Sequence, residues 1–117
     1  MDWNPQVLCW NVRGLNNMSK RNAVRNFISE AKVNSVCLQE IKLNVIDTYV
    51  VMQCIGPSFD GFAYLPATYT RGGILVGWDT SILVTDNISM DNFSLMGHVH
   101  NKDGWEWWLT LVYGLQR

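Results

Sequence analysis

The stretch Ser35-Val36-Cys37-Leu38-Gln39-Glu40 places the tightest limit on what this chain can fold into. Four small or apolar residues make a run short enough for a strand buried on both faces, and the run stops abruptly on an amide and a carboxylate. Upstream, Gln6 to Asn11 is a second strand-like run, followed by Gly14 and Asn16-Asn17, which mark a turn. Between the two runs, from about Met18 to Lys32, Val24, Phe27, Ile28 and Ala31 fall at the i, i+3, i+4, i+7 spacing of one helical face, with Lys20, Arg21 and Arg25 on the other side. Strand, helix and strand within about 35 residues predict a βαβ unit with parallel strands and a right-handed crossover. Parallel pairing brings Asn11 and Glu40 to one carboxyl-terminal sheet edge, where ligands and catalytic groups collect in open α/β sheets. A carboxylate there can hold a hard cation through oxygen. The plain alternative is a strand-end glutamate in water.

Downstream, Ile46, Tyr49, Val50 and Cys54 predict a shorter second helix closed by Gly56-Pro57. Five strand-like runs follow, from Phe59 to Leu65, Gly73 to Trp78, Ile82 to Val84, Phe93 to Val99 and Trp105 to Val112, separated by turn residues that include Asp79-Thr80 and Asp86-Asn87. Asn101-Lys102-Asp103-Gly104 is the strongest hairpin signal, because Asp-Gly supplies the positive φ of a tight turn. Trp105 and Trp107 share one face of their strand and Trp108 lies on the other, which predicts cover on both sides.

At 117 residues, with 48% hydrophobic and 16% charged content, the chain suits one globular domain. A net charge of −1 gives no overall field towards nucleic acid, so any phosphate binding must be local. Three cysteines without a CxxC pair suit a reducing compartment and buried thiols and do not make a zinc site. Met1-Asp2-Trp3-Asn4-Pro5 has no signal-peptide character, and no run reaches the ~18 apolar residues of a membrane span, so an intracellular protein is expected.

Four blocks carry a family resemblance: Cys9-Trp10-Asn11-Val12-Arg13-Gly14-Leu15-Asn16, Val36-Cys37-Leu38-Gln39-Glu40-Ile41-Lys42, Arg71-Gly72-Gly73-Ile74-Leu75-Val76-Gly77-Trp78, and Leu111-Val112-Tyr113-Gly114. In this order they resemble the motifs of the endonuclease/exonuclease/phosphatase superfamily, and most of all the endonuclease domain of plant LINE-type (non-LTR) retrotransposons. The resemblance implies an α/β fold, α+β in layout: residues 1–117 as a truncated domain, the N-terminal half of a four-layered α/β sandwich, a mixed sheet with helices on one face. It also implies a Mg²⁺-dependent (Mn²⁺ possible) phosphodiester hydrolase, DNA as substrate and a nuclear location.

Carried over residue by residue, Asn11 matches the asparagine that hydrogen-bonds at the scissile phosphate, Glu40 the Mg²⁺-binding glutamate, Lys42 the nearby lysine and Tyr113 the tyrosine that contacts phosphate. Arg13 and Arg71 are candidate nucleic-acid contacts. These residue types suit the chemistry, since developing negative charge on a phosphoryl group calls for a cation and hydrogen-bond donors. Ile41 departs from the usual threonine, and Leu115 from the usual proline. The family pattern goes on to an Asp-x-Asn block and a Ser-Asp-His block that supply the catalytic aspartate and histidine; this chain reaches Arg117 before either, and His98 and His100 lie outside any matching motif. The resemblance therefore implies an inactive fragment, with a non-enzymatic transposon remnant or a weak nucleic-acid-binding module as alternatives. It further implies that the strands form mainly one sheet, whose face opposite the helices is left bare and open to self-association.

Overall fold

A computed structural model describes residues 6–68, 72–90, 94–101 and 106–112, with side chains described as far as Ile82. The chain begins with the expected βαβ unit: β1 (Val7–Asn11), α1 (Met18–Ala31) and β2 (Ser35–Gln39), with β1 and β2 parallel and Asn11 level with Gln39. Asn17 starts α1 by accepting hydrogen bonds at Oδ1 from the amides of Ser19 and Lys20, which satisfies donors that a helix start leaves unpaired. The helix ends where Lys32 turns left-handed.

The second helix, α2 (Thr48–Ile55), is capped by Asp47, whose Oδ1 accepts from the Val50 amide, and is closed by Gly56 at φ +85°, whose amide donates to the Met52 carbonyl. Its Val50, Val51 and Ile55 are weak helix formers, so packing rather than propensity holds it. Val51, Cys54 and Ile55 are buried.

Strands β3 (Gly61–Leu65) and β4 (Ile74–Trp78) complete a mixed sheet in the order β1-β2-β4-β3, with β4 antiparallel to both neighbours. This order explains the apolar runs: β2 and β4 are the inner strands, and four of five β2 residues and all of β4 are buried. Val36, Leu38 and Leu75, at alternate positions and so on one face, pack with Val24 and Ile28 of α1 and Val51, Cys54 and Ile55 of α2. Each such burial stabilises the fold by roughly 1.5–3 kcal/mol. Helices packed on a mixed sheet give the α+β architecture that was expected, compatible with a partial α/β sandwich.

Four expectations are corrected, the last of them in part. The strands do not form mainly one sheet: β5 (Leu83–Met90), β6 (Ser94–Asn101) and β7 (Glu106–Val112) make a separate antiparallel sheet in that order. The cause lies at the end of β4. Asp79 Oδ1 accepts from the Ser81 amide and hydroxyl, the Asp79 amide donates to the Asn34 carbonyl, and Asp60 accepts from the amide and hydroxyl of Thr80, so the chain turns away before β5 can pair with β4. Next, Asp86-Asn87 does not end a strand: β5 runs through it with a register shift between Asp86 and Ser89, a bulge. Third, the face opposite the helices is not bare at its centre, where Cys37, Ile74, Val76 and Trp78 are all buried. Among the described residues of that face the exposed side chains lie in the edge strand β1, with Val7 44% exposed and Cys9 exposed, while Ala63 and Leu65 of the other edge strand are half-buried. The expectation of buried thiols accordingly holds for Cys37 and Cys54 and fails for Cys9. The hairpin between β6 and β7 is present, while its turn residues and the side chains of Trp105, Trp107 and Trp108 lie outside the described residues.

Candidate functional site

The rim is built where β1 and β2 run on side by side past their last ladder pair. Val12 donates to the Gln39 carbonyl at 3.0 Å, Gly14 to Glu40 at 2.7 Å and Leu15 to Ile41 at 2.8 Å, while on the other side of β2 the Lys42 amide donates to Gly72 at 2.7 Å. Within this shared extension Arg13, Glu40 and Lys42 all adopt left-handed backbone, at φ +55°, +53° and +56°, beside Gly14 at +105° and Gly73 at +87°. Such angles are uncommon for side chains of this size and mark sites where the surroundings over-determine the backbone. Those surroundings are apolar anchors: Val12, Leu15, Ile41 and Leu43 are buried in the helix-side core, and between them the chain displays Arg13, half-buried Glu40 and Lys42. Ile41, the departure from threonine, has no exposure, so an apolar side chain fits its place.

Two asparagines hold the rim. Asn11, exposed at the end of β1, accepts at Oδ1 from the Arg13 amide at 3.2 Å, an Asx turn that helps set the left-handed residue after it. Asn16 donates from Nδ2 to the Lys42 carbonyl at 2.9 Å and ties the β1 extension to the β2 extension. The Lys42 stem lies over Gly14, where an added Cβ would stand 3.7 Å from Lys42 Cδ.

Beside the rim an open groove of about 610 Å³ is lined by Arg13, Gly14, Asn16, Asn17, Ser19, Lys20, Ala23 and Lys42. It lies at the start of α1, whose first turn holds no acidic residue, and its lining carries three cationic side chains and no carboxylate. A helix start and three cations give a local positive field on a chain whose net charge is −1.

The rim thus brings Asn11, Glu40, Lys42 and Arg13 to neighbouring places, whereas Arg71 and Tyr113 lie outside the described residues. Arg21 and Arg25, which the helical spacing sets on the polar side of α1, are used within the fold: Arg21 donates to the Leu15 carbonyl and to Gln53 Oε1, and Arg25 to the Gln53 carbonyl and Asn22 Oδ1. His98 and His100 occupy ladder positions in β6, level with Asp86 and Val84. Sequence reasoning missed Asn16 as a brace. Asn16-Asn17 signals a turn and helix start, and that signal contains the first half of the answer.

Among the described residues no group of three or more His, Cys, Asp or Glu could cage a metal ion. Glu40 is the rim carboxylate, with the Asn11 amide nearby in the ladder, a donor set that suits a hard cation keeping most of its water rather than a softer metal in a protein cage. Among the described residues no helix is long and apolar enough to cross a membrane.

No family model matches the sequence, and no curated protein matches it. Among solved structures, the crystal structure of the AP endonuclease LMAP from Leishmania major matches 93% of this chain with a TM-score of 0.60 at 23% sequence identity. The likeness shows that the two chains share a fold. The match spans 40% of that chain's length.

Proposed function

We propose that this chain is the N-terminal part of a metal-dependent DNA endonuclease domain of LINE-type retrotransposon origin, acting on phosphodiester bonds in the nucleus. The observation that carries the reading is the joined β1–β2 rim, which presents Asn11 and Glu40 at one edge beside a groove lined by Arg13, Lys20 and Lys42. The fold shared with an AP endonuclease and the four ordered sequence blocks support it.

In this reading Glu40 holds Mg²⁺, or Mn²⁺, through carboxylate oxygen, and the bound cation supplies charge stabilisation at the phosphoryl group. Asn11 donates its amide to a phosphate oxygen, and Tyr113 donates its phenol to another. Lys42 adds positive charge, and Arg13, Lys20 and Arg71 hold the DNA backbone, as phosphate contacts position a duplex without reading its sequence. The aspartate and histidine that complete the chemistry belong to the later family blocks, so the 117 residues bind without cutting.

Two measurements on the purified chain test this. Calorimetric titration is expected to show Mg²⁺ binding in roughly the millimolar range, lost in Glu40→Gln, because one carboxylate is a poor site for an ion that dehydrates reluctantly. Tight binding indifferent to that substitution removes Glu40 from the metal role. Supercoiled plasmid with Mg²⁺ is expected to remain uncut above background, since loss of one member of a catalytic unit costs several powers of ten. Nicking abolished by both Glu40→Ala and Asn11→Ala would overturn the inactivity. The three-cation groove also favours a second reading, a weak backbone-binding module, marked by affinity that falls steeply with salt and is indifferent to Mg²⁺.

A further inference from the structure

Cys9 and Cys37 stand directly opposite each other in the parallel β1–β2 ladder, Cys9 exposed and Cys37 buried. The nuclease reading uses neither of them. Paired strands lie roughly 4.8 Å apart, inside the range of Cα separations that a disulfide tolerates. The Cβ separation of a relaxed disulfide is about 3.8 Å, so β1 would have to close on β2 by roughly 1 Å. Strand β1 is placed to do so, because among the described residues it is an edge strand, laddered to β2 on one side, with Val7 and Cys9 exposed.

We propose that Cys9 and Cys37 form a reversible two-electron oxidation site, closed into a cross-strand disulfide by a small-molecule disulfide. The Cys9 thiolate attacks one sulfur of the oxidant, a mixed disulfide forms, and one thiolate leaves and is protonated. Cys37 then gives up its proton and attacks the Cys9 sulfur, the mixed bond breaks, and a second thiol departs. The protein dithiol loses two electrons and two protons, and the oxidant becomes two thiols.

The order of attack follows from the surroundings. Cys9 is accessible, whereas burial, and after it the charge of Cys9, push the Cys37 thiol up to about 12. Cys37 is therefore a poor first nucleophile. Once Cys9 is capped, its charge no longer opposes ionisation of Cys37, and the resolving attack is intramolecular, from the adjacent ladder position. The product is pinched across the strands, and a strained disulfide is readily reduced, as suits a reversible site. Since Asn11 and Glu40 lie two and three residues beyond the pair, oxidation changes the spacing of the strands that carry the rim.

The test uses the 117-residue chain with Cys54→Ser, which leaves only this pair of the three cysteines, treated with oxidised glutathione at mildly alkaline pH and mapped by non-reducing peptide mass spectrometry. The expected product is a Cys9–Cys37 linkage with no glutathione retained, reversed by dithiothreitol, and formed in at least several-fold lower yield in urea. Cys37→Ser and Cys37→Ala should each trap glutathione on Cys9. Glutathione that persists on Cys9 while Cys37 is present, linkage only between molecules, or equal yield in urea would overturn the proposal. Should Cys54→Ser fail to fold, the unmodified chain serves, with Cys54 identified by alkylation before the map and the same outcomes deciding.

Discussion

Replacing Glu40 by glycine should stabilise the fold while abolishing its only proposed metal ligand. Glu40 holds φ at +53°, and a left-handed conformation costs an L-residue about 1–2 kcal/mol. Glycine escapes that cost but loses about 0.5–1 kcal/mol more backbone entropy on folding. The hydrogen bond made at this position, from the Gly14 amide to the Glu40 carbonyl, belongs to the backbone and survives the substitution. The net expectation for Glu40→Gly is a gain of about 0.5–1 kcal/mol, or roughly 2–6 °C in Tm for a domain of this size. Lys32 provides the internal standard, since it is exposed, sits at the end of α1 with φ +53° and has no proposed role; Lys32→Gly should give a similar gain. Glu40→Gln keeps the backbone and should leave Tm nearly unchanged. The assay pairs thermal unfolding by circular dichroism with Mg²⁺ titration of each variant. Stabilisation in Lys32→Gly alongside destabilisation in Glu40→Gly would show that the Glu40 side chain supports the fold, and the reasoning from strain would be wrong.

Two further perturbations test the framework around the rim. In Gly61→Ala the new Cβ would clash with Nε1 and Cε2 of Trp78, and displacing that buried indole should cost about 1–3 kcal/mol by urea unfolding. The penalty should shrink in a Trp78→Leu background, and an equal penalty in both backgrounds would refute the clash. Asp60 is held below its usual 3.8 by the Thr80 side-chain hydrogen bond and then by the Thr80 amide. A folded value below the unfolded one means that the stabilisation is complete above the unfolded value and is lost as pH falls through the folded one. Asp60→Asn should therefore flatten the fall of Tm below about pH 4, and an unchanged profile would show that Asp60 is not linked to folding.

The βαβ unit was legible because two independent periodicities agree: a buried run of strand length and a helical face whose Val24 and Ile28 are both buried. The same face fails at Phe27, which is 51% exposed and meets Trp10 with ring centroids 4.9 Å apart at the sheet edge. Periodicity assigns a face but does not say how far the sheet beneath it extends. The division into two sheets was not legible, because it depends on where Asp79 and Asp60 find their partners, Asn34 and Thr80, which lie far from them in sequence or in another element. Asp86-Asn87 reads alike as a turn or as a bulge, and only the partner strand decides. At the rim, the convergence of Asn11 and Glu40 followed from parallel pairing alone. The left-handed backbone of Glu40 and Lys42 had no marker, since neither is glycine or asparagine and the cause is burial of their neighbours Ile41 and Leu43.

The knot of Asp79, Thr80, Asp60 and Asn34 also determines how the two ends of the first sheet divide mechanical load. The chain leaves that sheet at the end where β4 finishes and β2 begins, while the rim occupies the opposite end, a strand's length of roughly 17 Å away. Tension or a bulky fusion applied through the β5–β7 segment is therefore received by side-chain and backbone bonds remote from the groove. A tether for immobilisation or single-molecule pulling belongs on that side, where it can be loaded without distorting the surface offered to a phosphate backbone.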